Sequence, residues 1–398
     1  MAIGAMYWGW ISDIIGRRPA FMLTFLITAF FGFLAGIFHD IRLVSIMFGF
    51  MGLGIGGNLP IDGTLFLECI PASEQSLMTL LSLWWPIGQV MASVIAWIVL
   101  PSNSCDSMNC NPDDNWGWRY TTFILAFVTF AMSFSRQLFN LQESPKYLIA
   151  RGRYEEAVEV LNYLALENGK VIHILPEDLM PDPNSRRQIT ERNHSTYSRL
   201  KILFSNDLIL TTVLVWSIWI FVALGYAIFN GFLPGFLQNA SNEKLSISDT
   251  FRNYVLISIA SVPGSVVGKY LTDSRLGRKW TMAASTFGTS ITLLLFTQFT
   301  TPSSQLIIGC VNGMLQNVMY GVIYAYTPEV FPTCVRATAY GIGAALGNWS
   351  SAIAPSLTFW MISNWSMEVP ILCSCSLIVT AGIFMIFLPI ETRGVPAL

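Results

Sequence analysis

Gly9-Trp10-Ile11-Ser12-Asp13-Ile14-Ile15-Gly16-Arg17-Arg18 stands between two long apolar runs and presses a carboxylate, a glycine and two arginines into a loop too short to be a domain. Such a loop must lie against the surface of whatever buries the runs on either side of it. A close copy returns as Asp273-Ser274-Arg275-Leu276-Gly277-Arg278-Lys279. The reading of the whole chain turns on this pair.

Composition says what buries the runs. The chain has 398 residues, of which 53% are hydrophobic and only 12% charged; soluble domains carry about 25% charged residues. Apolar runs of about 20 residues, enough to cross a bilayer, recur along it. They read as spans over 1–11 (short), 19–38, 43–67, 76–100, 118–141, 207–230, 251–272, 280–299, 304–326, 338–362 and 367–388. Gly and Pro within them are no objection, because membrane helices tolerate both. The expected fold is an all-α polytopic membrane protein, and its first partner is the lipid bilayer. With a net charge of −2 and no basic stretch, nucleic acid is excluded as a partner. There is no P-loop, no His/Cys cluster with metal spacing and no nucleophile–base motif, which argues against an enzyme and a bound cofactor.

The longest polar interval is 142–206; within it 153–168 reads as a surface helix and 176–196, with Pro176, Pro181 and Pro183, as a disordered linker. This divides the chain into a helix bundle over 1–141, a loop over 142–206 and a second bundle over 207–398. Lys and Arg set the orientation. With the 12–18 loop inside, the inner face holds Arg17, Arg18, the 269–279 cluster, Arg336 and Arg393, whereas the outer face holds Arg42, Arg119, Lys244 and Arg252. The 142–206 loop is then cytoplasmic and 101–117 lies outside, where Cys105 and Cys110 could form a disulfide.

The two basic loops belong to an internal repeat. Gly16 and Gly277, Arg17 and Arg278, Arg18 and Lys279, Glu68 and Glu329, and Pro71 and Pro332 are each 261 positions apart. Matched spacing of a basic loop and a Glu-x-x-Pro element implies two halves of similar fold. The same offset leaves 207–230 without a partner in the first half and puts the start of the counterpart of 251–272 before Met1. The expected architecture therefore lacks the first helix and part of the second.

Four motifs carry a resemblance: Gly9-x-x-x-Asp13-x-x-Gly16-Arg17-Arg18, Gln142-Glu143-Ser144-Pro145-Lys146, the stretch from Tyr326 to Arg336 with Pro328, Glu329, Phe331 and Pro332, and Pro389-Ile390-Glu391-Thr392-Arg393-Gly394. In this order and over nearly the whole chain, the sequence resembles the major facilitator superfamily, close to its sugar-porter and synaptic-vesicle-protein-2-like branch. The resemblance implies two pseudo-symmetric helix bundles, and a monomer is expected. It also implies a latch on the cytoplasmic face, closed in the outward-facing state. The latch cations are Arg17, Arg18, Arg278 and Lys279, with Arg336 and Arg393 beside them. Its anions are Glu68, Glu143, Glu329 and Glu391. Asp13 and Asp273 are expected to fix the loops by accepting nearby donors, with Gly16 and Gly277 at the turns and Gly9 allowing close helix approach. Exposed ion pairs of about 0–1 kcal/mol each suit a seal that must hold and then break.

Polar groups inside spans are expensive and usually functional. Asp62 lies four residues after Asn58, on the same helix face; it could bind a polar substrate, carry a proton or be a wet structural carboxylate. Trp85 and Gln89 share a helix, Asn312, Gln316 and Tyr320 step by four along one face, and Asn348 follows. Amides and rings in such a row suit a wet central cavity. Glycines over 52–57 and 341–347 read as helix contact surfaces. The expected function is transmembrane transport of a small polar organic solute (sugar, polyol or organic ion) by alternating access, with proton coupling left open. The alternative is a non-transporting or truncated membrane protein of the same fold, a receptor or scaffold.

Overall fold

One residue, Gly16, separates the first two helices, α1 (Ala2–Ile15) and α2 (Arg17–Ile37). The loop expected over 12–18 is thus a single turning point, made possible by φ +105° at Gly16, a conformation that side chains disfavour. The computed structural model describes residues 1–70, 74, 76–105, 115–138, 141–180, 201–239, 246–299, 301–332 and 335–394. Among these every regular element is helical. Next come α3 (Ile41–Cys69), α4 (Leu77–Leu81), α5 (Trp84–Asn103) and α6 (Gly117–Leu138). Two short helices follow, α7 (Pro145–Ala150) and α8 (Tyr154–Glu167). The remaining helices are α9 (Ile209–Asn230), α10 (Leu233–Asn239), α11 (Ile247–Asp273), α12 (Gly277–Gln298), α13 (Pro302–Val330), α14 (Arg336–Asn364) and α15 (Glu368–Ile386).

Helix α1 runs on to Ile15, α11 starts at Ile247 and α13 ends at Val330, each four residues beyond the expected span, and three further features differ from the sequence reading. The span expected over 76–100 bends at Ser82 and Leu83, between α4 and α5. Helix α10 lies in the stretch left between the spans expected over 207–230 and 251–272, because Leu233, Phe236 and Leu237 have an apolar place to go beside Phe229 and Phe296. Residues Pro176–Leu179 form a turn of 3₁₀ helix, closed by the Asp178 carboxylate accepting from the Leu175 N–H, at the start of the expected linker. Pro181 and Pro183 lie outside the described residues. Helix α8 matches its expected bounds to within one residue and docks Ala157 and Val160 onto Tyr147 and Leu148 of α7.

Seven helical stretches among the described residues are long and apolar enough to cross a membrane. Helices α6, α12 and α14 are as long but carry arginine and many hydroxyl residues. Helix α2 packs on α3 and α6, and α1 on α3; in the second half α9 packs on α14 and α15, α12 on α13 and α15, and α11 on α13. The halves meet where α1 touches α14, α5 touches α11, and α4 reaches α11 and α13. Large apolar side chains such as Phe30, Ile98, Phe127, Ile291 and Phe359 are exposed around the outside, as a lipid-facing belt requires.

In lipid, close packing of small residues replaces the hydrophobic drive between helices, and the glycine runs supply it. A Cβ on Gly54 would stand 2.7 Å from the Thr24 carbonyl oxygen of α2, whereas one on Gly49, a little over a turn away on the same helix, would meet open space. Gly343 and Gly347 meet Trp219 in the same way. Gly54→Val should therefore lower stability by about 1–3 kcal/mol, the usual cost of overpacking, while Gly49→Val should leave it nearly unchanged. Thermal melts of the detergent-solubilised variants read the difference.

Candidate functional site

Two places in the fold collect polar chemistry. The first is the end of the molecule where α1 gives way to α2 and α11 to α12. A helix start leaves main-chain N–H groups without partners, and at both helices a glutamate from elsewhere in the chain takes them. Glu143 accepts from Arg17 N at 3.0 Å, Arg18 N at 3.2 Å and its neighbour Ser144 N at 3.0 Å. Glu391 accepts from Arg278 N at 2.9 Å, Lys279 N at 3.0 Å and Arg393 N at 3.1 Å. A carboxylate at a helix N-terminus also meets the positive end of the helix dipole. A glycine at each helix start, Gly16 just before α2 and Gly277 as the first residue of α12, allows this approach. Gly277 has φ +69°, and a Cβ on it would stand 2.7 Å from the Glu391 carboxyl carbon; one on Gly16 would strike Glu143.

The arginines then reach the C-terminal ends of α3 and α13. Arg278 binds Glu329 at two points, Nε to Oε2 at 2.8 Å and Nη2 to Oε1 at 3.0 Å, and Thr392 Oγ1 donates to the same carboxylate at 2.7 Å. The side chains are 5% and 1% exposed. Arg17 reaches Glu68 with one contact of 3.5 Å, at 10% and 16% exposure, and donates to the Ser12 carbonyl at 3.0 Å. Its guanidinium also lies 4.9 Å from the centroid of the Tyr147 ring, whose hydroxyl donates to the Ile14 carbonyl.

These ion pairs are formed within each half, not across the two as a latch between bundles would have them. What joins the halves at this end is small or apolar. Leu67 and Met78 cluster with Ala325, Ser82 and Ser265 share a hydrogen bond of 3.0 Å, and Gly63 lies against Tyr340. The two basic loops consequently sit at one end of the molecule. Three expectations need correction. A Cβ on Gly9 would meet nothing within 4 Å, so close approach is the work of Gly4, Gly54 and Gly57 instead. Asp273 is exposed to solvent and takes no hydrogen bond from the described residues. Arg18 and Arg393 join through their main-chain N–H groups. Arg336 is buried at the start of α14 and donates to the Phe331 carbonyl at 3.3 Å. The side chain of Asp13, together with Pro71 and Cys110, lies outside the described residues; Cys105 is disulfide-bonded.

The second place is a central cavity of about 1030 Å³ between the two halves. Asn58, Asp62, Trp85, Gln89, Gln316, Tyr320 and Asn348, all expected from the sequence, line it. Asn312 does not: it is buried between α12 and α13, where its Oδ1 accepts from Thr292 at 2.8 Å. Asn317 lines the cavity but spends its amide on Ser261 and Ser265 of α11. Tyr254 was not expected; its hydroxyl accepts from Gln89 Nε2 at 3.0 Å. The signal was there in the helical stripe Tyr254, Ser258, Ser261 and Ser265, which steps by four, three and four.

A family model for the sugar (and other) transporters matches residues 1–397. The chain belongs to that family. An uncharacterized MFS-type transporter of Schizosaccharomyces pombe is 35% identical, over 99% of this chain and 76% of its own length. The MFS siderochrome iron transporter 1 of Ceriporiopsis subvermispora is 36% identical, over 98% of this chain and 78% of its own. Among solved structures, the MFS proton:xylose symporter XylE bound to 6-bromo-6-deoxy-D-glucose superposes with a TM-score of 0.72 at 16% identity, covering 100% of this chain and 85% of that one; at that identity it shows the fold alone. The protein is thus a multi-pass membrane transporter of the major facilitator superfamily.

The two family-type charge pairs are unequal, and stability should reveal it. Removing one partner of a buried pair costs about 3–5 kcal/mol; Arg278 with Glu329 is the more buried and is bound at two points, whereas Arg17 meets Glu68 at 3.5 Å. Glu329→Gln should therefore lower the melting temperature far more than Glu68→Gln, measured side by side in detergent.

Proposed function

We propose that the protein moves a small polar organic solute through the central cavity by alternating access. The single observation that supports this best is the cavity itself. It lies between helices of the two halves and is walled by amides and aromatic rings, where lipid-facing positions would waste them. In this reading residues 1–141 and 207–398 rock as two bodies joined by a cytoplasmic connector over 142–206.

The charged ends have a part distinct from the seam. Each half's carboxylate–helix cap and arginine pair keeps its own helix ends rigid, so the half moves as a unit. The seam that must open is the contact of Leu67 and Met78 with Ala325, Ser82 with Ser265, and Gly63 with Tyr340. It contains no ion pair among the described residues, and small surfaces of this kind part at low cost. Asp62, within the cavity wall, is the candidate for a coupled proton or a substrate contact.

The reading is tested with proteoliposomes holding the Ser82→Cys/Ser265→Cys pair. The hydroxyls are 3.0 Å apart, so oxidation should join the cysteines and hold the seam shut. Uptake of at least one radiolabelled solute from a panel of hexoses, polyols, small aromatic compounds and organic ions is expected, with and without a pH gradient. Oxidation should abolish it, and a reductant should restore it. No uptake by the folded protein in any arm would favour a receptor or scaffold. Uptake that survives complete cross-linking would end the alternating-access reading.

A further inference from the structure

We infer that the cavity selects a flat aromatic or heteroaromatic solute bearing a hydrogen-bond acceptor and no negative charge, rather than a polyhydroxylated one. This inference rests on the transport reading above and narrows its solute.

It follows from what the cavity's polar groups are already doing. Asn58 Oδ1 accepts from Thr24 at 2.6 Å, and Gln89 Nε2 donates to Tyr254. Asn317 Nδ2 serves Ser261 and Ser265, and Trp219 Nε1 donates to Thr327 at 3.1 Å. Asn230 Nδ2 donates to Gln316 Oε1 at 3.0 Å, which fixes the Gln316 amide in the cavity wall and leaves its Nε2 free for another acceptor. Gln316 is 4% exposed and its Nε2 has no partner among the described residues. A buried donor without a partner is costly and calls for an acceptor. A sugar brings many hydroxyls, each needing a replacement for the water it loses, and most amides here are bonded to the protein. A ring with one carbonyl needs little more than the Gln316 donor.

The walls supply the rest. Trp85, 49% exposed, lies 4.9 Å from Tyr324 between ring centroids. Tyr324 is stacked with Tyr320 at 5.8 Å, and Tyr226 meets Tyr320 edge-on at 5.1 Å. This continuous run of rings offers both faces and edges, the two geometries in which aromatic groups attract. Asp62 is the single acidic or basic side chain among the lining residues, which also include Met1, so an anionic solute would meet a carboxylate in the wall.

The test is isothermal titration calorimetry on the full chain in lipid nanodiscs with benzamide, benzoate and glucose. Benzamide should bind, benzoate about tenfold or more weakly, and glucose not at the same concentrations. Gln316→Glu keeps the length of the side chain and the bond from Asn230 but replaces the unused donor with an acceptor; it should weaken benzamide about tenfold. Trp85→Ala, at a half-exposed position, removes a wall without emptying a core and should weaken it about as much. Binding of glucose as tight as benzamide would overturn the proposal, as would benzamide affinity unchanged by Gln316→Glu, or no benzamide binding at all. The two readings fail separately. Glucose uptake that depends on an open seam would keep transport and end this solute class, whereas benzamide binding without uptake of any solute would do the reverse.

Discussion

A buried or half-buried helix start must find acceptors for its first N–H groups, and in this molecule two glutamates supply them from a distance in sequence. Glu143 lies 126 residues from Arg17, and Glu391 lies 113 residues from Arg278. Each fixes where a helix begins, which way the preceding chain turns, and where the next segment of chain must pass. The turn requires a positive φ, and the carboxylate requires the space a Cβ would fill, so glycine meets both demands at Gly16 and Gly277. Arg17 and Arg278 follow directly, placed by the same turn to reach Glu68 and Glu329. One local constraint thus ties three helices at the end of each half.

Using the same device twice does not make the halves equal. The second half adds the Thr392 hydroxyl, the Lys279 ammonium on the Leu388 carbonyl and the Tyr326 hydroxyl on the Ile390 carbonyl, all around one buried pair. Among the described contacts, the first half has a longer Arg17–Glu68 approach and the face of the Tyr147 ring, which belongs to the short helix of the connector. Anything that shifts α7 therefore bears on Arg17, while Arg278 is held by groups of its own half. In the proposed cycle the first bundle is the one coupled to the connector.

Much of this was legible in the residues. Apolar length, low charge and the repeat offset of 261 gave the fold class, and the motifs gave the members of both end clusters. The partners were less legible. Spacing pairs Glu68 with Glu329 but is silent on whether Arg17 finds a glutamate in its own half or the other, because that depends on where helices 50 or more residues apart lie side by side. The amide ladder on α13 was visible, yet four-residue steps do not distinguish the face toward the cavity from the face toward α12; Asn312 took the second and Gln316 the first. Helix α10 was hidden because seven residues carry too little periodicity to stand out from a loop.

The division between charged ends and an uncharged seam has a physical logic. An ion pair across a moving contact would be broken in every cycle, leaving each charge to find water or a second partner, and a buried one such as Arg278 with Glu329 would impose a barrier of several kcal/mol. Glycine, alanine and serine surfaces carry no such penalty, since dispersion contacts are individually small and a hydroxyl loosened from Ser82 or Ser265 can fall back on its own helix carbonyl, as Ser82 already does with Thr79 at 2.7 Å. In the proposed cycle, charge serves where parts stay together, and close-packed small residues where they part.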